Sequence, residues 1–283
     1  MSKYKVISDS CCDYVQQGED TLSFVTRIPL SIELEGDHFL DNSELDKAAL
    51  LAAMAASKSA PRSACPSPMH FAEACNGDEQ DVYIVTLSGK LSGSYSSACT
   101  GAEMARNEHP EKNIHVFNSL SAACGQVNIC LRIRELAEAG LPFENIVAQV
   151  EAYILDMSTV FVLEDIDVLR KNGRLTQLQT LAVNALRIKM VLSADGEGGI
   201  VLRAKGMGLN RALSAMVDYI KSIYDARPCP DRTLVVTHCA CLERAEDICR
   251  RILEVCPFAK SLICASSGIS TIYASAGGII VAF

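Results

Sequence analysis

The sequence predicts an α/β protein of two units, residues 1–158 around a mostly parallel sheet and residues 159–283 around a mixed sheet with helices. Three observations carry this prediction. Short β-branched runs alternate with longer helix-like runs through the first half, the pattern of strands joined by helical crossovers. In the second half, two apolar runs are separated by Asp195-Gly196-Glu197-Gly198-Gly199, which has the composition of a hairpin turn, so that sheet needs antiparallel pairing as well. With 283 residues, 49% of them hydrophobic, the chain is long and apolar enough for two ordinary cores.

In order along the chain, Lys5-Val6-Ile7-Ser8 reads as the first strand. Residues 45–58 are Ala-rich and helical, with Asp41, Asn42 or Ser43 as the N-cap. Residues 82–87 form a strand, 95–107 a helix and 114–117 another strand. A long helix over 122–139 stops at Gly140. Leu141-Pro142-Phe143 then opens a helix that runs to 157. The second unit begins with the strand Val160-Phe161-Val162-Leu163, followed by a short helix and a polar turn through Asn172-Gly173-Arg174. Residues 188–194 and 200–204 flank the hairpin turn, 209–224 and 242–255 are helical, and 234–237, 261–265 and 278–283 are strands.

Charge and composition exclude several functions. The net charge is −8 and no dense Lys/Arg run exists, so a phosphate backbone is a poor partner and no nucleic acid is expected. The start MSKYKVISDS lacks the apolar core of a signal peptide, and no apolar run is long enough for a membrane span. Thirteen cysteines, an odd number with no CxxC pair and with several in helical patterns, read as reduced, buried thiols in a cytoplasmic protein.

The loop Ser88-Gly89-Lys90-Leu91-Ser92-Gly93-Ser94 joins the strand at 82–87 to the helix that follows. A strand that passes to a helix through Gly and Ser aims unpartnered first-turn N–H groups and hydroxyls at one point, where the helix dipole is positive. Ser8-Asp9-Ser10 and Asn118-Ser119-Leu120-Ser121 follow two other strands, and residues 61–68 add a rigid segment that carries Ser63 and Ser67. In a parallel sheet these loops share one edge, where ligands sit. One such loop alone is usually a cap or a turn; several converging on one edge point to a pocket. The loops match no GxGxxG and no GxxxxGK[ST] pattern, so a small anion such as a carboxylate fits better than a polyphosphate.

Other chemistries fare worse. None of His38, His70, His109, His115 and His238 is spaced as a base for Ser92, and no GxSxG elbow is present. His238-Cys239-Ala240-Cys241 has no second cluster to complete a tetrahedral metal site and reads as a packed strand end. Arg174 is either a contact for an anion or partner, or a solvated turn residue. No catalytic residue, metal or cofactor is expected.

Together these segments resemble the DegV family of bacterial fatty-acid-binding proteins, in motif order and over nearly the whole chain. Val6-Ile7-Ser8-Asp9-Ser10 is similar to its N-terminal I-x-D-S segment, and residues 61–68 to its Thr-Ser-Gln-Pro-Ser segment, with Ser63 where Thr is usual. Ser88-Gly89-Lys90-Leu91-Ser92-Gly93-Ser94-Tyr95 is close to its Ser-Ser-x-Leu-Ser-Gly-Thr-Tyr motif. Phe117-Asn118-Ser119, residues 169–175 and Ile188-Lys189-Met190 resemble its D-S, L-x-x-G-R-I and I-K-P segments.

The resemblance implies a two-domain DegV-like fold that encloses a long-chain fatty acid, held without a covalent bond, with Ser63 and Ser92 on its carboxylate. It also implies a carrier rather than an enzyme, and a separate fatty acid kinase as the partner to which the acid is presented. Ser10, Gly93, Ser94, Ser119, Arg174, Ser266 and Ser267 are expected to support the site or face that partner. Two departures bear on the kinase role: Ser266-Ser267-Gly268-Ile269-Ser270 replaces a His-bearing segment, and Met207 stands where many members have Arg. The alternative reading is an enzyme acting on a small anionic metabolite in an interdomain cleft, and a weaker one is a lipid-responsive sensor.

Overall fold

The computed structural model describes residues 4–15, 22–175 and 188–283. A four-stranded sheet in the order β3-β1-β7-β8 is built from β1 (Tyr4–Asp9), β3 (Val25–Ile28), β7 (Asp81–Thr86) and β8 (Asn113–Asn118). All of its pairings are parallel, as the crossover pattern predicts. A seven-stranded sheet runs β11-β10-β9-β14-β12-β13-β2. Its members are β2 (Tyr14–Val15), β9 (Thr159–Val162), β10 (Ile188–Ala194), β11 (Ile200–Met207), β12 (Thr233–His238), β13 (Lys260–Ala265) and β14 (Ile279–Ala282). It is mixed: β12 and β13 are parallel, and β10 pairs antiparallel with both β9 and β11. β2 comes from the N-terminal stretch yet adds to the edge of this sheet beside β13. A three-stranded sheet of β4 (Ser31–Leu34), β5 (Asp37–Leu40) and β6 (Arg62–Ala64) completes the strands described. It was not read from the sequence, and it places His38 in a strand.

Side-chain alternation sorts the layers. On β1 and β7, Ile7, Val82 and Ile84 pack against α2 (Pro68–Ala74) and α3 (Ser94–Glu108), through Phe71, Ala98, Ala102 and Ala105. Val6, Tyr83 and Val85 point the other way, onto α4 (Cys124–Glu138). α4 lies between the two large sheets, touching β1 and β7 on one side and β12 and β14 on the other. That position explains why its residues 124–130 are all buried, Gln126 and Asn128 included. Each fully buried Ile here, such as Ile129 or Ile133, contributes roughly 1.5–3 kcal/mol. The helix ends as the sequence predicts: Gly140 takes φ +77°, with Gly140 N–H on Ala137 O and Leu141 N–H on Leu136 O, the paired bonds of a Schellman motif.

The outer face of the seven-stranded sheet (Val160, Val162, Leu234, Val236, Ile279, Val281) packs on α7 (Leu209–Ala226) and α8 (Leu242–Val255). The remaining helices described are α1 (Lys47–Ala56), α5 (Phe143–Asp156), α6 (Asp167–Lys171) and α9 (Gly268–Ala274). α1 is capped by Asp46, whose carboxylate accepts the Ala48 and Ala49 N–H groups, rather than by Asp41, Asn42 or Ser43 as the sequence suggests. All thirteen cysteines are free thiols, most of them buried. No helix among the described residues is long and apolar enough to cross a membrane.

Candidate functional site

The loop after β7 is fixed from three sides. Asp9, at the end of β1, accepts the Leu87 N–H at 2.8 Å, the Cys11 N–H at 3.2 Å and the Gln126 Nε2–H at 3.0 Å. Burial pushes its carboxyl up to about 6, while the bonds from Gln126, Leu87 and Cys11 pull the other way by favouring the charged form. Ser88 donates its Oγ–H to Gly198 O in the β10–β11 turn at 2.8 Å, and its N–H to Ser121 O at 2.7 Å. The loop then coils, with Leu91 and Ser92 N–H both on Ser88 O, and Ser92 Oγ accepts the Ser94 N–H at 3.2 Å just before α3.

Beneath this loop lies a cavity of about 850 Å³, counting the space at its opening. Its walls are the 87–92 and 120–123 loops, the inner face of β9, the β10–β11 turn and α9. Aliphatic and aromatic side chains dominate, among them Leu30, Leu87, Phe161, Leu163, Leu169, Ile200 and Ile269. Apart from buried Ser270 of α9, its hydroxyl and guanidinium groups fall in two sets. Ser63, Ser92, Arg174 and Tyr273 are half-buried. Ser121 and Thr159 are buried and hydrogen-bonded to each other at 2.7 Å.

The first set holds unused donors. Ser63 Oγ and Tyr273 OH share one hydrogen bond of 2.9 Å, so one of their two hydroxyl hydrogens stays free. Among the described residues, Ser92 Oγ accepts but donates to nothing. Arg174 uses Nε on Leu91 O at 3.1 Å and Nη1 on Asn172 O at 2.7 Å, and its guanidinium lies 5.6 Å from the centre of the Tyr273 ring. Its Nη2 donates to no described residue, and no described carboxylate pairs with it. The described lining contains no histidine, lysine or carboxylate. It can therefore bind an anion and shelter an apolar tail, but offers no general base among these residues.

The structure thus brings Ser63, Ser92 and Arg174 together. Sequence reasoning missed Tyr273, because α9 had not been recognised, and Thr159, which was not paired with Ser121 of the 118–121 loop. The expected supporting residues divide. Gly93 is exposed, with its Cα hydrogen side against Cys65. Ser10, Ser94, Ser119, Ser266 and Ser267 are buried, the placement of supporting residues rather than partner-facing ones. Four of these hold the frame. Ser10 Oγ accepts the Leu30 N–H at 3.0 Å, and Ser119 Oγ donates to Ser121 O at 2.9 Å. Ser266 Oγ bonds Thr271 Oγ1 at 2.7 Å, and Ser267 Oγ caps α9 through the Ser270 N–H at 3.2 Å. Two buried carboxylates anchor the same helix end: Asp13 accepts the Ser267 N–H at 2.8 Å, and Asp41 accepts those of Gly268 and Ile269 at 2.6 and 2.9 Å. At the other candidate cluster, His238 Nδ1 accepts the Cys241 N–H at 3.2 Å, closing a turn after β12.

The family model described as "Uncharacterised protein, DegV family" matches residues 3–283. The chain belongs to the DegV family. A DegV domain-containing protein of Streptococcus pneumoniae is 33% identical, over 99% of this chain and 98% of its own length. A DegV family protein of Ruminococcus gnavus, solved with vaccenic acid, superposes with a TM-score of 0.94 at 39% identity, covering 100% of both chains. The Fatty Acid Kinase (Fak) B3 protein of Streptococcus pneumoniae, solved with linoleic acid, gives a TM-score of 0.89 at 31% identity over 99% of both chains. The α/β architecture read from the sequence is therefore a DegV fold, with a parallel sheet from the first half and a mixed sheet built mainly from the second, β2 excepted.

Proposed function

We propose that this DegV protein binds a long-chain fatty acid without a covalent bond, its tail in the cavity under the 87–92 loop and its carboxylate at the Ser63–Ser92–Arg174–Tyr273 end. The observation that carries this reading is the pairing of an aliphatic cavity with a cluster of spare donors at one edge. The fatty acids held by the Ruminococcus gnavus and Streptococcus pneumoniae structures support it.

Magnitudes assign the roles. Burying methylenes contributes about 0.8 kcal/mol each, so a hexadecanoic tail offers on the order of 11 kcal/mol before ordering costs. A hydroxyl bond to a carboxylate adds only about 1.5–3 kcal/mol. The tail supplies affinity, and the donors fix the polarity of insertion. A small polar metabolite would leave the aliphatic walls unpaired, which sets the enzyme reading second.

The same reading makes the chain a carrier that presents the acid to a separate fatty acid kinase, a role suggested by the name of the Streptococcus pneumoniae structure. With the carboxylate at the half-buried end, a kinase can reach it without the tail leaving. The test is native mass spectrometry of freshly purified protein. A copurified mass in the range of long-chain acids is expected; a protein that is empty and binds only short polar anions would overturn the reading.

A further inference from the structure

Away from the head-group donors, the aliphatic wall of the cavity is interrupted by a pair of hydroxyls. β9 and the residue after it present Thr159, Phe161 and Leu163 to the cavity, alternate residues of one strand face. Leu163 lies in the packed cluster that includes Leu91, Leu169 and Tyr273, beside the head-group donors. Thr159 stands four residues back along the strand, about 13 Å at about 3.3 Å per residue. An acyl chain laid along this face from the donor cluster therefore meets a hydroxyl after on the order of ten carbon–carbon bonds.

Thr159 Oγ1 shares a hydrogen bond of 2.7 Å with Ser121 Oγ, and both residues are buried. Ser121 Oγ has a second partner in Ala122 O at 3.4 Å, whereas Thr159 Oγ1 has no second partner among the described residues. If Ser121 donates to Thr159, the Thr159 hydrogen is unused; if Thr159 donates, its lone pairs are unused. Either way one buried hydroxyl keeps room for a further hydrogen bond. A plain hydrocarbon tail leaves that capacity idle. A hydroxyl on the acyl chain uses it, and recovers there the hydrogen bond it gives up on leaving water, a loss that aliphatic walls alone would not make good. We propose that Ser121 and Thr159 form a subsite for an oxygenated acyl chain, so that this protein takes fatty acids hydroxylated near the middle of the chain as well as plain ones. This rests on the fatty-acid reading above and deepens it by naming an acyl-chain class.

The test is displacement of a fluorescent fatty acid from the full chain by octadecanoic acid and by hydroxyoctadecanoic acids whose hydroxyl is moved one carbon at a time from the eighth carbon to the fourteenth. It is run on the wild type, on Thr159→Val and Thr159→Ala, which lack the hydroxyl, and on Thr159→Ser, which keeps it. In the wild type, one isomer or two adjacent ones should bind as tightly as octadecanoic acid, and the others about tenfold more weakly. The ratio of the favoured isomer's affinity to that of octadecanoic acid should fall about tenfold in Thr159→Val and Thr159→Ala and be kept in Thr159→Ser. If every isomer binds the wild type more weakly than octadecanoic acid, or if the ratio is the same in all four proteins, the pair only ties the 118–121 loop to β9; the subsite is then wrong and the fatty-acid reading stands. If neither the fluorescent acid nor any other binds the wild type, both fall.

Discussion

Ser63 and Tyr273, 210 positions apart in the chain, join hydroxyls at 2.9 Å in the wall of the cavity. The contact links β6 of the small sheet to α9, which Asp13 and Asp41 hold at its other end. Hydroxyls from both halves of the chain thus meet at one edge of the cavity, on elements that backbone hydrogen bonds hold in place.

Removing the hydroxyls should separate binding from folding. Ser63→Ala with Ser92→Ala is expected to weaken long-chain acid binding by about a hundredfold to ten-thousandfold, since two bonds to a charged acceptor, about 1.5–3 kcal/mol each, are lost. The melting temperature should stay within a few degrees of wild type, because both residues are half-buried and Ser92 gives up one accepted bond from Ser94. Displacement of a fluorescent fatty acid and a thermal melt check the two halves of this statement.

Filling the cavity should abolish binding without loss of fold. Ala274 is buried and lines the cavity. Ala274→Phe is expected to occupy volume that the acyl chain needs, and calorimetry should show no heat with hexadecanoic acid. Added apolar contact in a space already open keeps the melt near wild type.

Gly198 should tolerate no side chain. It sits at φ +84°, and a Cβ there would meet Ser88 Oγ and lie 2.9 Å from Leu120 Cα. Gly198→Ala is expected to cost about 1–3 kcal/mol in urea unfolding through backbone strain and overpacking, and to disturb the wall of the tail cavity.

The buried carboxylates give a signed pH dependence. Burial raises Asp9 and Asp13 to about 6, above their unfolded values, so the folded state binds protons more tightly. Their contribution to stability is complete below the unfolded value near 4 and is lost as pH rises through about 6. His238 opposes this: burial lowers its pKa, so its contribution is lost as pH falls below its unfolded value. Asp9→Asn isolates one term, and the stability change between about pH 7 and about pH 5 should be roughly 1 kcal/mol less favourable to the acid side than in wild type, read by urea denaturation at the two values.

Much of this was legible in the sequence because period and punctuation agree. The strand at β7, the helix α4 with its Gly140 stop and the Asp195–Gly199 turn all appear where composition places them. The small sheet was not, because β4, β5 and β6 are short and alternate too few residues to show a period. At the site, Ser63 and Ser92 were found through motif resemblance, and Arg174 was only a candidate. Tyr273 carried no local signal: it matters because α9 folds back onto β6, a tertiary event that spacing does not encode. The hydroxyl pair Ser121–Thr159 was missed for the same reason, since β8, α4 and β9 meet only in three dimensions.

The most direct measurement is a crystal structure of this protein with hexadecanoic acid bound. The account predicts carboxylate oxygens within about 3.2 Å of Ser63 Oγ and Ser92 Oγ, and the tail running past Leu87 and Phe161 toward Ser121. An acid bound in the reverse sense, or anywhere outside this cavity, would contradict it.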